Sequence, residues 1–127
     1  MNYEEIGKTF LSTPLYDKNV GAYRSFYSPV RIGPIYPEIT AYGINLSCIF
    51  FKRTKNKRFL ERAKVCASYL MNLSKNAGIR GPLDNVLYTF DTGIYISGLF
   101  DLYDISKNIV YLRAAEKSLE WLCNLFD

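Results

Sequence analysis

TAYGINLSCIFFKRTKNKRFLERAKVCASYLMNL (residues 40–73) and TGIYISGLFDLYDISKNIVYLRAAEKSLEWLCNL (residues 92–125) align without a gap at a spacing of 52 residues. Thr40 meets Thr92, Ile44 meets Ile96, Lys55-Asn56 meet Lys107-Asn108, and Leu60 meets Leu112. Ala63 meets Ala115, while Leu70, Asn72 and Leu73 meet Leu122, Asn124 and Leu125. Phe51/Tyr103, Thr54/Ser106, Phe59/Tyr111 and Tyr69/Trp121 are near-equivalents. Identities that fall on structural signals point to duplication of one supersecondary unit.

Each unit reads as two helices joined by a tight turn. Phe59, Leu60, Ala63, Ala67 and Leu70 recur in three- to four-residue steps, as do Tyr111, Leu112, Ala115, Leu119 and Leu122, which gives one apolar stripe per helix. Asn56 and Asn108 stand just before these stripes, where an amide oxygen can accept a bond from an orphan helix N–H. The preceding helices, about 39–53 and 92–105, are apolar on more than one side and are expected inside a layer. A further helix at about 3–12 carries Ile6, Phe10 and Leu11 on one side, so the chain is expected to begin partway through a repeat. The expectation is an all-α fold of tandem antiparallel helical hairpins in a single domain, 1–127, with repeat units at about 21–73 and 78–125.

Composition narrows the function. The 127 residues are 49% hydrophobic and 22% charged, within the globular range, and a chain of this length buries roughly two thirds of its unfolded surface. Sixteen basic against twelve acidic residues give a net charge of +4, too little to demand a polyanion. Seven of those basic residues lie between Lys52 and Lys64 and read as a solvated turn and helix face, so no nucleic-acid partner is expected. No histidine is present, which removes Ser-His and Cys-His nucleophilic pairs and the common His-containing metal sites. Cys48, Cys66 and Cys123 stand far apart among apolar helix positions and are expected to be buried thiols, with no disulfide and no metal site. The amino terminus has two early acids and no apolar run, and no stretch approaches a membrane span, so a cytoplasmic protein is expected. No phosphate loop, nucleotide fingerprint or nucleophile elbow occurs, and no cofactor is expected.

The loops before the hairpins repeat as well, with different lengths. Gly21-Ala22-Tyr23-Arg24 is similar to Gly78-Ile79-Arg80 in placing an arginine soon after a turn glycine. FYSPVRIGPIYP follows in one unit and GPLDNVLYTF in the other, and their prolines and glycines argue against continued helix.

YPEITAYGI with its helix, followed by KNKRFLERA and a second helix, resembles the (α/α)6-toroid, or six-hairpin glycosidase, superfamily; FDTGIYISGLFDLYDISKNIVYLRAAEKSLEWL looks like a successive hairpin of that architecture. The resemblance covers about residues 21–125. It implies part of an (α/α) toroid and a saccharide partner, since the superfamily includes glycoside hydrolases, unsaturated-glucuronyl hydrolases and sugar and uronate epimerases. In those enzymes the loops leading to the inner helices gather at one mouth and form the sugar cleft. Carried onto this chain, Glu38 and Asp91 become the acid/base candidates, and Arg24, Tyr27, Arg31, Tyr36, Tyr42, Arg80 and Tyr95 the substrate-binding candidates. Aromatic faces stack on sugars, and arginine grips a carboxylate in a bidentate pair, which suits a uronate-bearing saccharide. The competing role for the acids is structural: Asp91 with Thr92 as an N-cap, and Glu38 at the positive end of a helix dipole. A full toroid needs six hairpins. Two hairpins and one helix therefore imply either part of a larger enzyme or self-association across an exposed apolar flank; a non-catalytic helical-repeat interaction module is the alternative.

Overall fold

The computed structural model describes residues 1–75 and 77–126. Five helices carry the fold: α1 (Tyr3–Ser12), α2 (Pro37–Thr54), α3 (Lys57–Ser74), α4 (Thr89–Ser106) and α5 (Ile109–Asn124). α2–α3 and α4–α5 are antiparallel hairpins, so the fold is all-α. The turns between the helices repeat atom for atom. Lys55 and Lys107 end α2 and α4 in the left-handed conformation (φ 59° and 55°), and each ammonium lies over the ring four residues back, Phe51 at 6.0 Å and Tyr103 at 5.8 Å. Asn56 and Asn108 then cap the next helix, accepting from the amides of Arg58 and Val110 at 3.0 and 3.1 Å. The Thr54 and Ser106 hydroxyls each donate to a carbonyl one turn back, those of Phe50 and Leu102, and accept the amide of the capping asparagine.

The two leading helices, α2 and α4, lie side by side and run in the same direction, because their contacts advance together. Ile44 meets Gly98, Asn45 donates to Ser97 (3.3 Å) and Asp101 (2.8 Å), and Lys52 pairs with Asp104 at 3.3 Å. Gly98 permits this approach: a Cβ there would stand 3.2 Å from that of Ile44 and 3.4 Å from the Ala41 carbonyl. Ile44, Cys48, Leu70, Tyr95, Leu99 and Leu102 form the centre of the core.

Short antiparallel ribbons stand where loops are expected. β1 (Tyr16–Asp17) pairs with β2 (Ala22–Tyr23), and β3 (Ile79–Arg80) with β4 (Leu87–Tyr88). Bridges Arg24–Ile35 and Tyr27–Ile32 extend the first unit's connection into a longer ribbon. Each ribbon is tied to its leading helix by a buried threonine. Thr40 Oγ1 accepts the Tyr23 amide at 2.9 Å and donates to the Tyr36 carbonyl; Thr92 Oγ1 accepts the Ile79 amide at 2.9 Å and donates to the Tyr88 carbonyl. Valine has the same shape but no hydroxyl, so Thr92→Val orphans a buried amide and is expected to cost about 1–3 kcal/mol by urea denaturation. A change within error of zero would mean that water replaces the hydroxyl.

Helix starts differ from the sequence expectation. α2 begins at Pro37 and α4 at Thr89, two and three residues earlier than expected. Proline is well suited to a first helical position, since the N–H it lacks would be unpaired there. Asp91 accordingly lies inside the first turn and is not an N-cap; Tyr88 holds that place without a side-chain bond.

Much of the aromatic content is structural. Tyr23, Phe10 of α1, Phe50 and Phe59 form a run of rings in that order, with neighbouring centroids 5.1–5.7 Å apart. The Arg62 guanidinium lies 3.5 Å above the Tyr16 ring and donates to the Tyr23 hydroxyl (2.8 Å) and the Leu11 carbonyl (3.0 Å). Arg62 therefore clamps the first ribbon and α1 to α3, and does not belong to a solvated basic face as its sequence neighbourhood suggests. Cys48 and Cys66 are buried, which pushes both thiols up to about 12. Cys123 is exposed, contrary to expectation, because it lies on the outward side of α5. Among the described residues no helix is long and apolar enough to cross a membrane.

Candidate functional site

Because α2 and α4 run in the same direction, their amino-terminal ends lie together, each reached through its own ribbon. Between them opens a cleft of about 330 Å³ lined by Tyr36, Glu38, Gly81, Pro82, Leu83, Asp84, Tyr88, Phe90 and Asp91. Glu38 comes from the first turn of α2 and Asp91 from the first turn of α4. Tyr36 and Tyr88 are the residues immediately before the two helices, 52 apart, held by the same threonine bond from one turn on.

The carboxyl groups have different environments. Asp91 is only 8% exposed and makes no side-chain hydrogen bond to another residue among those described. Burial holds its pKa above the usual aspartate value, partly offset by its own backbone N–H. Glu38 is raised too, first by desolvation and then by the charge of Asp91. Asp84, at the exposed rim, is lowered instead, because it accepts the Tyr88 hydroxyl and the Val86 amide. The first turn of a helix favours negative charge, which limits the cost of holding Glu38 and Asp91 together. Such a pair of carboxyls, one kept protonated more easily by the other, is equipped for proton transfer.

The other expected site residues are elsewhere. Tyr95 is 1% exposed, with its hydroxyl 3.3 Å from Ser74 Oγ, so it is a core residue with no face for a ligand. Arg24 is spent within the first ribbon, on the Asp17 carboxylate and the Gly33 carbonyl (2.9 Å). Arg80 does the equivalent in the second unit, donating to the Asn85 carbonyl at 2.8 Å. Tyr27 and Arg31 are exposed near the tip of the longer ribbon, with Arg31 5.2 Å above the Phe26 ring. Tyr42 is exposed one turn further along α2, beside a shallow site with Asn45, Phe90 and Ser97. Of the nine expected residues, the cleft collects Glu38, Asp91 and Tyr36.

Sequence reasoning missed Tyr88, Phe90 and Asp84. Tyr88 could have been found by carrying the 52-residue register four positions upstream of Thr92, where it pairs with Tyr36. Asp84 lies in the part of the loop where the two units differ in length, and no register reaches it. Compared with known proteins, the chain matches no protein-family model, no curated protein and no solved structure.

Proposed function

We propose that the chain is part of a carbohydrate-processing or carbohydrate-binding (α/α) toroid, and that the cleft between the starts of α2 and α4 takes a sugar ring. The observation that carries this reading is the pair Glu38 and Asp91, offered by adjacent helices into one cleft walled by the rings of Tyr36, Tyr88 and Phe90. Rings of this kind give a sugar its apolar faces to stack on, while the carboxyls accept its hydroxyls. Glu38 and Asp91, both raised from their ordinary values chiefly by desolvation, supply between them the proton donor and the carboxylate that orients the sugar. Arg24, Arg31 and Arg80, which favoured a uronate, do not line the cleft, so a sugar carboxylate has no guanidinium to meet there. The reading therefore passes from uronates to saccharides without a carboxylate.

The test is a saccharide panel followed by titration calorimetry and turnover assays. Glu38→Gln is expected to leave binding within about threefold while lowering any turnover roughly 10²–10⁴-fold. Unchanged binding and turnover in both Glu38→Gln and Asp91→Asn would remove the acids from the function.

A second reading, self-association, rests on the two flanks of the leading helices. The stripe of α2 that covers α4 includes Ala41, Asn45 and Lys52; its 52-residue mates on α4, Gly93, Ser97 and Asp104, lie on a face with exposed Phe90 and Phe100. At the opposite flank, an apolar groove of about 540 Å³ between α1 and α2 is lined by Ile6, Phe10, Tyr42, Gly43, Leu46 and Phe50 among others. The chain thus exposes both faces of the α2–α4 type of contact. α1 stands beside α2 as α3 stands beside α4, and the groove next to it is the part of that flank left open to a second copy. Sedimentation velocity is expected to show species larger than the 14.6 kDa chain that Leu46→Asp returns to monomer. A monomer at every concentration removes this reading.

A further inference from the structure

The groove between α1 and α2 has a counterpart in the second unit that the chain fills itself. α2 packs on both α3 and α4, and α1 has the same neighbourly relation to α2 that α3 has to α4. The groove, about 540 Å³ and lined by Ile6, Phe10, Leu15, Leu46 and Phe50 among others, therefore holds in the first unit the place that α2 holds in the second. Leu46 on its wall is 39% exposed, and Tyr42, one turn earlier on the same wall, is 47% exposed. Gly98, the mate of Leu46 on α4, is buried, with Ile44 and the Ala41 carbonyl of α2 against it. One helix face is thus covered in one unit and open in the other. The cover is a single helix, running in the same direction as the helix beneath it. From Ile39 to Phe50 the open wall spans about three helical turns, roughly 17 Å.

The sizes at the crossing point are reversed between the two places. Where α2 covers α4, the large residue, Ile44, belongs to the covering helix and the glycine, Gly98, to the helix beneath. In the groove the helix beneath offers Leu46 instead. A Cβ alone at Gly98 would stand 3.2 Å from that of Ile44, so leucine in the equivalent place leaves room only for a small residue opposite. α4 of a second copy, laid in the same register, would bring Ile96 against Leu46, large on large. We propose instead that the groove receives one amphipathic helix of a different protein, lying parallel to α2. That helix carries alanine or glycine where it crosses Leu46 and apolar residues at helical spacing before and after. The groove shares no lining residue with the cleft, so the saccharide reading is not needed here.

Two fluorescent helical peptides of 18 residues, the length of α2, test this by anisotropy against the whole chain. Both have a Glu/Lys surface and leucines one turn before and one and two turns after a central position, which is leucine in one peptide and alanine in the other. The alanine peptide is expected to bind roughly tenfold more tightly, the reverse of the order that apolar area alone gives. Leu46→Ala in the chain is expected to abolish or invert that preference by making room, and Leu46→Asp to weaken both peptides. Leu46 is partly exposed, and circular dichroism checks the fold of both variants. Equal or tighter binding of the leucine peptide, a preference that survives Leu46→Ala, or binding of neither peptide overturns the proposal. A dimer that Leu46→Asp dissolves and neither peptide displaces gives the groove to a second copy, and overturns it likewise.

Discussion

Leu70→Ala is expected to lower the free energy of unfolding by about 2–5 kcal/mol, and Leu122→Ala, its mate 52 residues on, by clearly less. The chemistry of the two changes is the same, and the repeat position is the same. What differs is the neighbourhood. Leu70 is fully buried on α3, packed in the core with α2 and α4 on hand, so its truncation leaves a cavity that a close-packed interior closes only in part. Leu122 lies on α5, which packs chiefly on α4, and the residue is only partly buried. Less transfer energy is lost there, and solvent-facing neighbours relax more easily. Urea denaturation of the two variants side by side measures the contrast. Equal losses would mean that α5 is covered on its outer flank, as self-association would cover it.

Asp91→Asn is expected to do two things at once: weaken saccharide binding by tenfold or more, and stabilise the protein by roughly 0.5–2 kcal/mol, the usual range for a single stabilising substitution. Its direction follows from linkage. Burial raises the folded-state pKa of Asp91 above the unfolded value, so the folded chain binds this proton more tightly than the unfolded chain does. Stability from this group is therefore greatest at low pH and falls as pH rises from the ordinary aspartate range through the raised folded value; at neutral pH the ionised carboxylate is a net cost. Asparagine keeps the shape without the charge and removes that cost at every pH. The variant's stability is accordingly expected to gain most on the unmodified chain near neutrality and least in acid. A purely structural role in the first turn of α4 makes the opposite prediction, because loss of a negative charge at a helix start is destabilising by about 0.3–1 kcal/mol. Thermal melts of both proteins across the pH range separate the two.

The repeat and the hairpins were legible because their signals are local. A three- to four-residue apolar step, an asparagine before it and the Lys-Asn turn lie within a few positions of one another, and each recurs at the same spacing. The ribbons were not legible, since two-residue strands such as Ile79–Arg80 are too short for alternation to register. The start of α2 is displaced because Pro37 occupies the one helical position where the ring costs nothing, and that of α4 because Tyr88 gives no side-chain cap to mark it. In the cleft, Glu38 and Asp91 follow from the resemblance carried onto the loops before the leading helices; the 52-residue register itself pairs Glu38 with Phe90 and Ile39 with Asp91. Tyr95 was misplaced for a physical reason: α4 packs against α2 on one side and α3 on another, so a tyrosine nearly two turns into it faces the core, with Ser74 satisfying its hydroxyl. The arginines were misplaced because a ribbon needs its own carbonyls and carboxylates bound, and Arg24 and Arg80 reach those first.

Saccharide binding is proposed for the cleft between the starts of α2 and α4, and for no other part of the surface. Amide chemical-shift mapping by NMR, during titration with the tightest-binding sugar of the saccharide panel, locates the binding surface residue by residue. Saturable shifts are expected to concentrate at residues 36–38 and 81–91, and to need at least tenfold more sugar for saturation in Asp91→Asn. Saturable shifts centred instead on the α1–α2 groove around Phe10 and Leu46, or none anywhere, would contradict it.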